Sequence, residues 1–187
     1  MFGDSLAAGV GASSFANSFI GIMYGRLAAG DASSTIADLA ASGASTADVL
    51  NSQLPAADRL NADATDVWLC VGGNDVFHQT SADAFSQAEH AVVELVRARW
   101  PKAHIIVFGV PDVAVVPLLP GNSQLHDLAT ADDAAAEDAA RTSQADFVDL
   151  FAFTDSESIA GRLSQDALHP NDAGHAAIAA FASKRLR

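Results

Sequence analysis

Asp66-Val67-Trp68-Leu69-Cys70-Val71-Gly72-Gly73-Asn74-Asp75 is the stretch on which the fold turns. A continuous apolar run without polar alternation is the pattern of a strand buried on both faces, and its closing glycines mark a turn. Downstream, His104-Ile105-Ile106-Val107-Phe108-Gly109-Val110 repeats the pattern and is closed by Pro111. Asp146 to Phe151 reads as a shorter strand, and upstream Met1-Phe2 and Thr35 to Ala41 read as two more. Helical spacing fills the gaps. It runs over Phe15 to Ala29, over Thr46 to Leu60 with Pro55 to accommodate, and over Phe85 to Trp100, which Pro101 ends. An alanine-rich helix follows from about Ser123 to Ser143, and a last one begins near Asn171. Strand and helix alternate throughout, which predicts an α/β fold with a mostly parallel sheet between helices and one domain over residues 1–187.

Composition narrows the function. The 187 residues carry 10 basic and 23 acidic side chains, a net charge of −13, and Lys occurs only at Lys102 and Lys184. Such a surface repels phosphate backbones, so nucleic acid is not an expected partner, and anionic lipid interfaces are disfavoured too. With half its residues apolar the chain is expected to pack a core. The lone Cys70 makes no intramolecular disulfide and no multi-cysteine metal site. No apolar run reaches the roughly 20 residues of a membrane span, and no basic stretch followed by an apolar core opens the chain. The expectation is a cytoplasmic protein without stable membrane association, although a mature secreted form has the same sequence features. Oligomeric state is not readable.

Open α/β sheets bind ligands beyond the carboxyl ends of their strands. Asp4-Ser5, Ser42-Gly43, Gly73-Asn74-Asp75 and Pro111-Asp112 each follow an apolar run, and Asp166-Ala167-Leu168-His169-Pro170 follows the last at some distance. A serine hydroxyl needs a base and an oxyanion site to act as a nucleophile. Ser5, at a predicted strand-to-helix turn, is the candidate nucleophile, His169 the base, and Asp166 the acid that orients it. The N–H groups of Ser5 and Gly43 and the Asn74 amide are candidate oxyanion donors.

Each residue also has a plainer reading. Ser5 suits a helix N-cap, Gly43 and Gly73 suit positive-φ turns, Asn74 a left-handed turn, and Asp166 with His169 a surface pair. Pro170 disfavours helix at His169 and favours a rigid loop. Asp75 reads as structural, Cys70 as a small core residue, and His78, His90, His104, His126 and His175 as surface or packing residues without metal-ligand spacing. Gly9-Val10-Gly11 fails as a dinucleotide loop because Ser14 stands at the third glycine, and Gly-Asp-Ser-Leu-Ala is not the Gly-x-Ser-x-Gly elbow of α/β-hydrolases.

Gly3-Asp4-Ser5-Leu6, Ala40-Ala41-Ser42-Gly43, Gly72-Gly73-Asn74-Asp75 and Asp166-Ala167-Leu168-His169-Pro170 together resemble the GDSL/SGNH hydrolase family, in order and spacing over nearly the whole chain. The resemblance implies a three-layer α/β/α sandwich with a flavodoxin-like five-stranded parallel sheet. It implies a serine esterase acting through an acyl-enzyme on a small ester, with short- to medium-chain acyl or acetyl groups, and no metal or organic cofactor. By position it makes Ser5 the nucleophile, His169 the base, Asp166 its acid, and Ser5, Gly43 and Asn74 the oxyanion hole. Two departures stand out. Only Met1 and Phe2 precede the first block where the family has a longer strand, so the first strand is expected to be cut short. Asp38 stands where many members have Asn, and no role is carried onto it. Alternatives are a thioesterase or transacylase using the same residues, or a non-catalytic small-ligand module. The apolar segment Val113 to Gly121 is expected either to line an acyl pocket or to pack as a surface loop.

Overall fold

A computed structural model describes residues 1–60, 63–119, 121–156 and 159–184. In chain order its elements are β1 (Phe2–Gly3), α1 (Phe19–Gly30), α2 (Thr46–Asp48), α3 (Leu54–Leu60), β2 (Asp66–Cys70), α4 (Gly73–Phe77), α5 (Ala82–Arg99), β3 (His104–Phe108), α6 (Ser123–Thr142), β4 (Asp146–Val148), α7 (Leu150–Ser156) and α8 (Asp172–Ser183). The strands form one parallel sheet in the order β1-β2-β3-β4.

Period-two alternation along the central strands splits the core into two layers. Val67, Leu69, Ile105 and Val107 point to one face, where Val92, Val93 and Val96 of α5 and Ala136, Ala139 and Ala140 of α6 cover them. Trp68, Cys70, Ile106 and Phe108 point to the other, covered by Phe19, Ile20 and Met23 of α1 and Ile178, Ala179 and Ala182 of α8. This is the expected α/β/α sandwich. Among the described residues no helix is long and apolar enough to cross a membrane.

The fifth strand is where structure and expectation part. Residues 35–41 form no regular strand. They still run beside β1, for Met1 N donates to Ala37 O, Leu39 N to Met1 O and Ala41 N to Gly3 O. One rung of that ladder is taken over by a side chain. Gln53 Oε1 accepts the Gly3 N–H at 2.8 Å and Gln53 Nε2 donates to Gly3 O at 2.8 Å, so a buried primary amide stands in for neighbouring backbone. Gln53 reaches Gly3 from the end of a π-helical turn, Val49–Gln53, between α2 and α3. Pro55 accounts for that turn, since it lacks the N–H for the carbonyl of residue 51 and its ring would strike that carbonyl in a regular helix. Widening the helix removes both conflicts. The predicted helix at Phe15 likewise begins as a 3-10 turn, Phe15–Asn17, before α1, and the strand expected through Phe151 stops at Val148.

Two acids interrupt the apolar stripes of the facing helices. Glu89 on α5 and Asp132 on α6 are buried, and Glu89 Oε2 and both Asp132 carboxyl oxygens lack hydrogen-bond partners. Burial pushes Glu89 up to about 8, reinforced by Asp75 and Asp132, and pushes Asp132 up to about 7, reinforced by Asp75. Each is thus protonated in the folded chain at pH values where the unfolded chain has lost the proton. Their contribution to stability is complete below the ordinary carboxyl range and is lost as pH rises through about 8. Urea unfolding between pH 5 and 9 is expected to show stability falling with pH, and Glu89→Gln is expected to flatten the slope. Gln53→Ala, which orphans the Gly3 N–H, should cost roughly 1–3 kcal/mol in the same assay.

Candidate active site

The chain leaves β1 into a run of turns. Asp4 N donates to Cys70 O, continuing the sheet by one rung, and Ala8 N and Val10 N donate back to Asp4 O and Ser5 O. The predicted helix start at Ser5 is therefore a compact turn over residues 5–11. Its cap is Asp4, not Ser5, because Asp4 Oδ1 accepts the Leu6 N–H at 2.9 Å. Burial pushes the Asp4 carboxyl up to about 6 against the opposing pull of the Leu6 and Ala7 N–H groups. With Asp4 in that role, the Ser5 hydroxyl is free to point elsewhere.

It points at His169. Ser5 Oγ lies 2.9 Å from His169 Nε2, and His169 Nδ1 lies 2.6 Å from Asp166 Oδ2. A carboxylate accepts only, so Nδ1 carries the proton and Nε2 is left as acceptor for the serine O–H. Asp166 Oδ1 takes three further donors, the Leu168 and His169 N–H groups and the Ser164 hydroxyl. Desolvation pushes its pKa upward, but these bonds and the one from the imidazole outweigh it and hold the carboxyl well below its ordinary range. Asp166 and His169 share one small hairpin. Leu163 pairs with Pro170, Ser164 N donates to His169 O, and Ala167 turns the chain with φ 57°.

The hairpin rests against the Ser5 turn through a gap that only glycine leaves. Gly11 has φ 92°, and a Cβ there would stand 2.2 Å from Pro170 O and 3.1 Å from His169 Cβ. His175 fixes the same turn from below. Its Nε2–H donates to Val10 O at 3.0 Å and its Nδ1 accepts from Phe19 N at 3.2 Å. Burial lowers its pKa, as this neutral pairing requires.

Gly43 and Asn74 face the same cleft. Gly43 has φ 83° with open space where a Cβ would stand. Among the described residues the Ser5 and Gly43 N–H groups have no acceptor within the protein, although both residues line the cleft. Asn74 Nδ2 spends one hydrogen on Ala44 O at 2.9 Å and keeps the other. The Gly43 loop is pinned from behind by buried Asp75, whose Oδ2 accepts Thr46 N at 2.8 Å and Thr46 Oγ1 at 3.1 Å. Positive φ belongs to Gly72, at 122°, while Gly73 is the first residue of α4. Asp38 accepts from Ala40 N, two residues on, and its charge acts on the Met1 ammonium.

The cleft has a volume of about 260 Å³ and an apolar floor that includes Phe77, Val113, Val116, Leu150, Phe153 and Ile178. Val113, Val115 and Val116 answer for the apolar segment that follows β3, whose Pro120 lies outside the described residues. Cys70 also touches the cleft, but burial pushes its thiol far up. Of the remaining histidines, His104 bridges Asp66 and Asp146 and His126 meets Asp112.

Residues 1–177 match the family model described as GDSL-like Lipase/Acylhydrolase family. The chain belongs to this family of acylhydrolases. A comparison with curated proteins finds no match. Among solved structures TesA is 20% identical with a TM-score of 0.78, covering 100% of this chain and 96% of its own. The psychrotrophic esterase EstA from Pseudoalteromonas sp. is 16% identical with a TM-score of 0.76, covering 98% and 93%. Phospholipase A1 from Streptomyces albidoflavus NA297 is 19% identical with a TM-score of 0.66, covering 99% and 97%. These likenesses place this GDSL-family chain in the fold of those proteins.

Gln53 and His175 support the site without any motif of their own, whereas Asp4 stands inside the Gly3-Asp4-Ser5-Leu6 block and Gly11 inside Gly9-Val10-Gly11. For Gly11 the signal was the glycine itself, set within a few residues of Ser5. Gly11→Ala is expected to push the hairpin off the Ser5 turn and slow covalent labelling of Ser5 by a fluorophosphonate about 10²-fold. Circular dichroism should show the fold retained.

Proposed function

We propose that the chain is a serine acylhydrolase that cleaves small carboxylic esters through an acyl-enzyme on Ser5. The reading is carried by the unbroken hydrogen-bond chain from Ser5 Oγ through His169 to Asp166, set beside unpaired N–H groups on an apolar cleft.

Ser5 Oγ attacks the ester carbonyl carbon as its proton passes to His169 Nε2. His169 Nδ1 keeps its proton and donates it to Asp166 Oδ2, and the depressed pKa of Asp166 keeps it a carboxylate able to stabilise the imidazolium. The carbonyl π electrons move onto oxygen, and the N–H groups of Ser5 and Gly43 with the free Asn74 amide hydrogen receive that charge. Collapse expels the alcohol, which takes the proton from Nε2. A water then repeats the sequence on the acyl-enzyme, and Ser5 regains its proton.

The cleft supports an apolar acyl group of short to medium length, because its floor is apolar and its volume of about 260 Å³ is small for a long chain. The net charge of −13 supports a neutral substrate over an anionic one.

A p-nitrophenyl ester series of increasing acyl length tests the reading. Wild type should peak at short to medium chains, and Ser5→Ala or His169→Ala should lose nearly all turnover. Asn74→Ala should lose about 10²–10³ in kcat. Full activity in Ser5→Ala, or Ser5 unlabelled by a fluorophosphonate, removes the assignment. Parallel thioester and alcohol-acceptor assays rank hydrolysis of esters against thioesterase and transacylase action.

A further inference from the structure

Two of the segments that line the cleft beside Ser5 meet at a buried carboxylate. One leaves β3 and contributes Val113, Val115 and Val116, and the other is α7, which contributes Leu150, Phe153 and Thr154. Asp112 joins them. Its N–H donates to Thr154 Oγ1 at 3.0 Å, and its Oδ1 accepts the Ala114 N–H at 2.9 Å, which caps the 3-10 turn Val113–Val115. That turn is short and its own bond from Val115 N to Asp112 O is long, at 3.4 Å, so its place follows the residue that caps it.

The other oxygen of Asp112 faces outward, away from both segments. The Asp112 side chain is only 2% exposed, and its Oδ2 lies 2.7 Å from Nδ1 of His126, a side chain of α6 that is 47% exposed. A carboxylate accepts only, so Nδ1 carries the proton and donates it. The imidazole also lies against Phe151 of α7, with ring centroids 5.5 Å apart and planes inclined by 51°. Among the described residues neither Phe151 nor any residue of α6 lines the cleft. His126 nevertheless touches both lining segments from behind, one through a hydrogen bond and the other through a ring.

This arrangement has an energetic asymmetry. A buried carboxylate oxygen deprived of a donor is costly, and an exposed imidazole deprived of an acceptor turns to water. The bond therefore constrains Asp112 more than it constrains His126. Asp112 in turn carries the start of the apolar segment, whereas Ser5, His169 and Asp166 are held by bonds that run elsewhere.

We propose that His126 is a positioning residue for substrate specificity, setting the length of acyl group the cleft accepts by holding Asp112, and with it residues 113–116, against α7. The proposal rests on the reading of the cleft as an acyl site. Without the donor, Asp112 Oδ2 regains solvation by moving outward, and Val113, Val115 and Val116 withdraw from Leu150 and Phe153. The cleft then lengthens, short acyl groups lose contacts and longer ones gain them. The proton relay at Ser5 is unchanged.

The test separates the bond from the ring contact. His126→Phe and His126→Leu keep an apolar group against Phe151 and have no donor, whereas His126→Asn keeps an N–H donor near the Nδ1 position and gives up the ring. kcat/KM is measured with p-nitrophenyl butyrate and octanoate. His126→Phe and His126→Leu should raise the octanoate-to-butyrate ratio at least about tenfold, the scale on which an apolar pocket discriminates chain length. His126→Asn should keep the wild-type ratio. Labelling of Ser5 by a short-chain fluorophosphonate should run at the wild-type rate in all three, a split that general loosening of the fold does not give. An unchanged ratio in the two donor-free variants, or an equal shift in His126→Asn, overturns the proposal. The same pocket is read without turnover by titrating Ser5→Ala and Ser5→Ala with His126→Phe with unreactive methyl ketones of short and long chain. A length preference that moves with His126 in a chain whose wild type hydrolyses no ester removes the hydrolase reading and supports the role of His126. A preference that stays fixed overturns that role.

Discussion

The grip on Gly3 and Asp4 is the constraint from which the rest of the site follows. The hold on them is assembled from several directions, of which pairing with β2 is one. Cys70 O takes the Asp4 N–H, Gln53 takes both peptide groups of Gly3, and Ala41 N adds a bond to the same carbonyl. The Asp4 carboxyl then ties the next peptide, and the Ser5 hydroxyl emerges in one direction. A π-helical turn and a buried amide thus reach the candidate nucleophile through the backbone of Gly3, which does not itself line the cleft. Such support is costly to lose, because each group left behind is buried.

Much of this architecture was legible because it depends on periodicity. The buried runs at Asp66 and His104 announced central strands, and the helical stripes of α5 and α6 announced their cover. The candidate site was legible for another reason: Ser5, Asp166 and His169 each suit a cap or a surface pair when taken alone, and only the four blocks together in order single them out. What escaped the sequence were residues whose duty is set by a distant partner. Gln53 is an ordinary helix residue until Gly3 lies beside it, and His175 looks like any histidine on an alanine-rich helix until Val10 O and Phe19 N meet its two nitrogens. The strand expected over residues 35–41 rests on their composition, yet the Gly3 N–H they would bind is taken by a side chain, and only the bond from Ala41 N to Gly3 O is left to them.

Glu89 and Asp132 show the converse. Each falls at a buried position of an otherwise apolar stripe, where an acid is the least expected residue. The same helices carry the valines and alanines that cover the sheet, so the two buried acids lie on the layer that packs against it. Asp75, which pins the Gly43 loop through Thr46, contributes to the upward push on both. The helical layer is in this way electrostatically joined to the loop that carries a candidate oxyanion donor.

The hairpin that closes Leu163 on Pro170 has a kinetic meaning of its own. Because imidazole and carboxylate ride on one self-bonded loop, thermal motion of that loop leaves their mutual geometry intact. Its link to Ser5 is a separate contact, the one from His169 Nε2 to the serine oxygen, and that reach is set by how the hairpin seats against Gly11. In the proposed mechanism the tuning of the imidazole is therefore local, whereas its aim is tertiary.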